Sequence, residues 1–133
     1  MRKLVSSGTT WEEKAGYSRA VRTGPLIEVA GTTAVRETGE VVGKGDVAAQ
    51  TEFVIRKIQK ALQAAGADLT DVVRTRMYIT RIEDWEIVAQ IHGSFFGTIR
   101  PASTLLEVSG LIDSELLIEM EATAWKEEAG GHE

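Results

Sequence analysis

Glu119 and Glu121 stand two positions apart in the segment ELLIEMEATAW. On a strand that spacing sends both carboxylates to one face. Clustered carboxylates raise one another's pKa, and one held near neutrality can serve as a general base. Glu107, in the preceding segment PASTLLEV, is placed to join them. The competing arrangement is ion pairing across a sheet with Arg74, Arg76 or Arg19, which puts the same charges to structural use. The remaining chemical inventory is thin. There is no cysteine, so thiol nucleophiles, disulfides and Cys-ligated metals are excluded. His92 and His132 are distant in sequence, which argues against a His-based metal site; neither metal nor organic cofactor is expected. Acid–base work then falls to carboxylates and tyrosines. Tyr17 follows Gly16 at the head of a strand, as either an edge aromatic or a phenol lining a cleft.

The segment TIRPASTLLEV holds a second candidate chemistry. Arg100 precedes Pro101, which biases its backbone towards extended conformations. It stands where a helix has ended and a strand begins. From there a guanidinium can reach into a cleft and hold a carboxylate by two parallel hydrogen bonds. Equally, it can close the helix C-terminus and satisfy its last carbonyls. His92 follows Ile91 on the same helix and reads as a surface or half-buried histidine rather than a catalytic one.

These groups need elements to place them. RKLVSS, residues 2–7, reads as a short first strand, and YSRAVRTG and PLIEVAGTTA as two strands turning at Gly24-Pro25. A further turn falls around Gly39. Apolar or small residues then recur at 47, 51, 54, 55, 58, 61, 62 and 65, a helical stripe with Asp46 as N-cap and Gly66 as stop. DVVRTRMYIT returns to period two, with Val73, Thr75, Met77 and Ile79 on one face and Arg74, Arg76 and Tyr78 on the other. A second helix carries Trp85, Val88, Ile91 and Phe95 on one stripe and ends before Gly97. PASTLLEV and ELLIEMEATAW close the chain as strands.

The order is β-β-α-β-α-β-β, an α+β chain whose two helices can cover only one face of a mixed sheet. In the last strand Leu116, Ile118, Met120, Ala122 and Ala124 suit the helix side. Leu117, Glu119, Glu121, Thr123 and Trp125 make a mixed opposite face. That face is either wet or buried against other copies of the chain; large apolar groups there, with Leu105, favour burial.

The chain has 133 residues, 43% hydrophobic and 26% charged, which fits one domain over residues 1–126 and a flexible tail over 127–133. No apolar run is long enough to span a bilayer, and the start lacks the apolar stretch of a signal peptide. With the absence of cysteine, this fits a cytoplasmic protein. A net charge of -5 without a basic run disfavours a nucleic-acid partner.

IRPASTLLEVSGL followed by LIEMEATAW resembles the C-terminal signature of the Rid (YjgF-type) family, the reactive-intermediate deaminases, also described as L-PSP endoribonucleases. GYS at residues 16–18, VAGTTA, FFGTIRPA and the long segment DVAAQTEFVIRKIQKALQAAGADLTDVVRTRMYIT extend the resemblance along the chain. It implies a chorismate-mutase-like fold. It also implies a homotrimer with a central barrel-like core and inter-subunit clefts that bind small carboxylates. Active members hydrolyse enamines and imines, such as 2-aminoacrylate, to a 2-oxo acid and ammonia.

Residue by residue, Glu119 matches the glutamate that positions the attacking water and Tyr17 the cleft tyrosine. Leu105 matches the position whose backbone N–H meets the ligand. His92 replaces a common tyrosine, and Lys57 a helix asparagine. The family's active deaminases carry a carboxylate-gripping arginine directly after the Pro-Ala pair, where this chain has Ser103. Arg100 lies three residues earlier, about 10 Å along an extended strand, so it cannot stand in without a different ligand pose. A serine hydroxyl donates one hydrogen bond but cannot neutralise a carboxylate. Arg19, Arg22 and Arg100 are the candidate substitutes. Two functions remain: an imine or enamine hydrolase with altered substrate range, or a ligand-binding or regulatory trimer without hydrolysis. Ribonuclease activity is disfavoured by the acidic balance and the lack of a histidine pair.

Overall fold

A computed structural model of the chain describes residues 2–128. His132 and most of the expected tail lie outside them. The elements are β1 (Arg2–Val5), α1 (Thr10–Ala15), β2 (Ala20–Thr23), β3 (Leu26–Thr33), α2 (Val47–Ala64), β4 (Val72–Ile79), α3 (Trp85–Phe96), β5 (Ala102–Glu107) and β6 (Ile118–Trp125). The strands form one sheet in the order β1-β2-β3-β6-β4-β5. All neighbours are antiparallel except β4 and β5, which run parallel and are joined through α3. The expected α+β architecture is therefore present. The β2–β3 hairpin closes through Gly24 at φ 59, the positive dihedral that a two-residue hairpin turn needs at its first central position.

The core lies between the sheet and the two long helices. Val54, Ile55, Ile58 and Leu62 of α2 meet Ile27, Met77, Ile79, Ile118 and Met120 of the sheet. Asp46 caps α2 by accepting a bond from the Ala49 N–H at 3.0 Å. Gly66 follows the helix at φ 89, where a left-handed residue ends it.

Four local expectations are corrected. Val73 does not share a face with Thr75 and Met77. A bulge between Val72 and Arg74 puts Val72 in the core and Val73 in solvent, because the extra residue shifts the alternation by one. Trp85 is 51% exposed, so it lies off the buried stripe of α3; Val88 and Phe96 are its buried residues, with His92 half-buried between them. The strand expected from Tyr17 starts only at Ala20, and a short helix, α1, precedes it. Thr9-x-x-Glu12 has the spacing of a capping box, but Thr9 makes no cap bond and Glu12 reaches back to the Ser7 N–H instead; Gly16 is left-handed at the other end.

The fourth correction is Arg100. It is not extended but left-handed, at φ 57, the one non-glycine residue with positive φ among those described. Gly97 is still right-handed, so the chain leaves α3 only at Arg100, whose N–H donates to the Phe96 carbonyl at 2.8 Å. An L-residue pays about 1 kcal/mol in that region. Arg100→Gly relieves that strain at some cost in unfolded-state entropy. The net expected gain is about 0.5 kcal/mol, read as a higher urea midpoint.

Candidate active site

On the face away from the helices, β6 presents Glu119 and Glu121 and β4 presents Arg74, Arg76 and Tyr78. Beside them opens a cleft of about 710 Å³ whose lining includes Tyr17, Val21, Ala30, Arg76 and Glu121 but not Glu119, which lies on the sheet next to it. Glu121 does not pair with an arginine; it accepts a bond from the Tyr78 hydroxyl at 3.0 Å. Among the described residues neither Glu119 nor Glu121 forms an ion pair, nor do Arg19, Arg74 and Arg76. The cross-sheet ion pairs weighed as the structural alternative are not made.

Glu119 is held by a backbone irregularity. Between Val29 and Thr32 the β3–β6 register slips, so Ala30 and Gly31 together oppose Glu121. The Glu119 carboxylate lies in the space a side chain at Gly31 would fill: a Cβ there would meet Oε2 at 2.0 Å. The Arg19 guanidinium donates to the Gly31 carbonyl at 2.6 Å and pins the bulge from behind. The same guanidinium lies 5.9 Å from the centre of the Tyr17 ring. Burial, and then the like charge of Glu121, push the Glu119 pKa up against the pull of Arg19. A half-buried carboxylate without an ion pair and with a raised pKa is a stronger base than an ordinary carboxylate and can take and return a proton.

Gly31→Ala tests that contact. The residue has no positive φ and its nearest obstacle is the tip of a flexible side chain, so alanine fits once Glu119 swings away. Stability is expected to change by less than about 1 kcal/mol. Any reaction that needs Glu119 in place should slow by about tenfold or more.

The other candidates lie elsewhere in the chain. Ser103 and Leu105 sit on the edge strand β5, opposite Thr75 and Met77, and so face the helix layer rather than Glu119. The Thr75 hydroxyl is 2.8 Å from Ser103 Oγ and 2.9 Å from His92 Nε2, a short polar chain under α3. Burial pushes the His92 pKa down, which keeps the ring neutral at pH 7, and it packs against Phe96 at 4.6 Å between centroids. Leu105 and Leu117, expected on the open face of the sheet, instead pack against the core. Arg100 is exposed at the helix end. Glu107 does not join the other two glutamates; it accepts a bond from the Ile82 N–H at 3.1 Å. Within one chain, then, Tyr17 and Glu119 lie around Arg19, while Ser103, Leu105 and Arg100 belong to the opposite edge.

Sequence reading missed Glu12 and assigned Arg19 no fixed place. Glu12 is buried on α1 and accepts bonds from Ser6 Oγ at 2.8 Å, the Ser7 N–H at 3.1 Å and the Ser7 hydroxyl. Burial works to raise its pKa, but these bonds outweigh it and hold the carboxyl below its ordinary value. The SSGT run before a helix-starting glutamate was the available signal. Among the described residues no group of His, Asp and Glu is arranged to hold a metal ion. No helix of the described chain is long and apolar enough to cross a membrane.

A family model described as endoribonuclease L-PSP matches residues 9–126. A RutC family protein of Pyrococcus abyssi is 43% identical over 112 residues, which is 84% of this chain and 87% of that one. The 3-aminoacrylate deaminase RutC of Acinetobacter baylyi is 32% identical over 110 residues, 83% of this chain and 86% of that one. Among solved structures, a Mycobacterium tuberculosis member of the YjgF/YER057c/UK114 family aligns with a TM-score of 0.86 at 49% identity, over 94% of this chain and 99% of that one.

Proposed function

The chain belongs to the Rid/YjgF family, and from that membership we propose that it hydrolyses the C–N bond of a small enamine or imine to a carbonyl compound and ammonia. The observation that carries this is Glu119: half-buried, without an ion pair among the described residues, raised in pKa and seated on the bulge at Gly31. An enamine first tautomerises to the imine. Water then adds to the carbon of the protonated imine as Glu119 takes one of its protons, which leaves a neutral carbinolamine. Glu119 returns that proton to the nitrogen; as the C–N bond breaks with its electrons leaving on ammonia, the hydroxyl gives its proton to the carboxylate and the C=O bond forms. Imines are reactive enough that holding the substrate beside one carboxylate supplies most of what is needed. Tyr17 lines the cleft and orients the substrate. No cofactor is required.

In this reading residues 1–126 act as one domain in the cytoplasm, and three copies assemble with their open sheet faces inward. The edge carrying Ser103, Leu105 and Arg100 then completes a neighbour's cleft, with the β5 backbone offering N–H groups to the ligand. Support comes from the sheet face itself. Leu106, Trp125 and Leu4 are large apolar groups exposed on it. Light scattering at micromolar protein is expected to give three times the chain mass, and a monomer would reject the assembly.

Ribonuclease chemistry is not proposed. His92 is the single histidine among the described residues and lies on the helix side of the sheet, while the cleft holds Glu28 and Glu121. The second reading, a binding protein without hydrolysis, is favoured by Ser103, whose hydroxyl is engaged by Thr75 where active relatives place an arginine. Ammonia release from enzymatically generated 2-aminoacrylate and 3-aminoacrylate decides between them. Release above the uncatalysed rate from either supports the hydrolase; binding of the corresponding oxo acids with no release supports the binding protein.

A further inference from the structure

A cavity of about 390 Å³ lies between the chain after β1 (Ser6 and Ser7), the chain after β3 (Val35 to Glu37) and α2. It shares no lining residue with the cleft beside Glu121. Its lining carries Arg19, Arg36, Arg56, Lys57 and Lys60 against one carboxylate, Glu37, in a chain whose net charge is -5. A concentration of one sign in a concave, partly apolar site focuses the field on a ligand of the other sign. Apolar groups make the rest of the wall, with Phe53, Val35 and Ala64 among them.

The cations divide into two sets. Arg36, Arg56 and Lys60 are exposed at the rim and have carboxylate partners at 3.5, 3.2 and 3.9 Å. Arg19 and Lys57 lie deeper and make no ion pair among the described residues, though the charges of Glu12 and Glu119 act on Arg19 and those of Glu12 and Glu37 on Lys57. Arg19 is only 8% exposed, and its Nε has no hydrogen-bond partner among the described residues. Lys57 Nζ donates to the Val35 carbonyl at 2.9 Å. Buried charges are ordinarily paired, and a buried arginine and a half-buried lysine lining one cavity leave room for an anion. The Arg36 guanidinium lies 5.7 Å from the centre of the Phe53 ring, which sets an aromatic surface beside the charges.

We propose that this cavity is a second ligand site, for a small organic anion with an apolar body, such as an aryl or branched acyl carboxylate or phosphate. The acidic head meets Lys57 and Arg19, and the body lies on Phe53 and Val35. The volume falls in the range of about 300–1,000 Å³ usual for small-molecule sites. Burial, and then the neighbouring charge of Arg19, hold the Lys57 pKa below its ordinary value, a penalty that a bound anion offsets.

Benzoate, phenyl phosphate, inorganic phosphate and benzyl alcohol are the probes, titrated into isotope-labelled protein while backbone amide shifts are followed. Benzoate and phenyl phosphate are expected to shift Ser6, Ser7, Val35 and Arg36 saturably, and the tighter of the two identifies the head group. Benzyl alcohol should leave them in place, and inorganic phosphate should bind at least tenfold more weakly than phenyl phosphate. Arg36→Glu, at an exposed position that does not endanger folding, should weaken binding about tenfold or more. Lys57→Met should do the same. Saturable shifts confined to Ala30 and Glu121, equal binding of benzyl alcohol, phosphate binding as tightly as phenyl phosphate, or no effect of Arg36→Glu would each overturn the proposal.

Discussion

Glu119→Gln is expected to abolish imine hydrolysis and, at neutral pH, to make the protein more stable. Both follow from the raised pKa of the carboxyl, caused first by burial and then by Glu121. The folded chain holds this proton more tightly than the unfolded chain. The stabilisation that accompanies protonation is therefore complete below the unfolded pKa and is lost as pH rises through the folded one. At pH 7 the charged carboxylate works against the fold. Glutamine keeps the shape and removes the charge, so the melting temperature should rise at pH 7, and the gap should close at a pH where the wild-type group is protonated. Glutamine cannot accept the proton of water, and losing a positioned base costs about 10²–10⁴ in rate. Thermal unfolding at two pH values and ammonia release by the variant are the measurements. Full activity would end the assignment of Glu119, and a lower melting temperature at pH 7 would contradict its pKa.

Ser103→Arg is expected to raise activity on 2-imino acids by about tenfold to a hundredfold, through KM more than through kcat. A charge-assisted arginine–carboxylate contact is worth roughly 1.5–3 kcal/mol, which converts to that range. In the wild-type chain the position offers a neutral hydroxyl already engaged by Thr75, backed by a neutral His92. Nothing in that chain of groups neutralises a carboxylate. Ser103 is exposed at the sheet edge, so a longer side chain can leave the polar chain and extend into solvent or a neighbouring cleft. Kinetics on 2-aminoacrylate against an uncharged imine separate the outcomes. Equal gains on both substrates, or wild-type rates matching those of an arginine-bearing relative, would reject the role assigned to this position.

The sheet, the two long helices and the buried stripe of α2 were legible because each rests on several residues repeating one period. All eight stripe positions of α2 and its flank are buried. Isolated departures were not legible. The bulges at Val73 and at Ala30-Gly31 insert one residue into an alternation and leave no mark on composition. Arg100 was misread because the proline that follows favours extended backbone, while the helix end ahead of it required a left-handed residue. At the candidate site, the pairing of Glu119 with Glu121 on one face came from spacing alone. That Arg19 stands behind Gly31 depends on a contact across twelve residues and a bulge, which no local pattern encodes.

The seat of Glu119 on Gly31 also bears on history. Any side chain at 31 displaces the glutamate, so while Glu119 is in use a substitution there would cost its position. Should a descendant lose the glutamate, that cost is gone and position 31 is free to drift to alanine or serine. From then on, restoring glutamate at 119 no longer restores its place, because the space has been taken. Recovery then needs two changes, glycine at 31 as well as glutamate at 119.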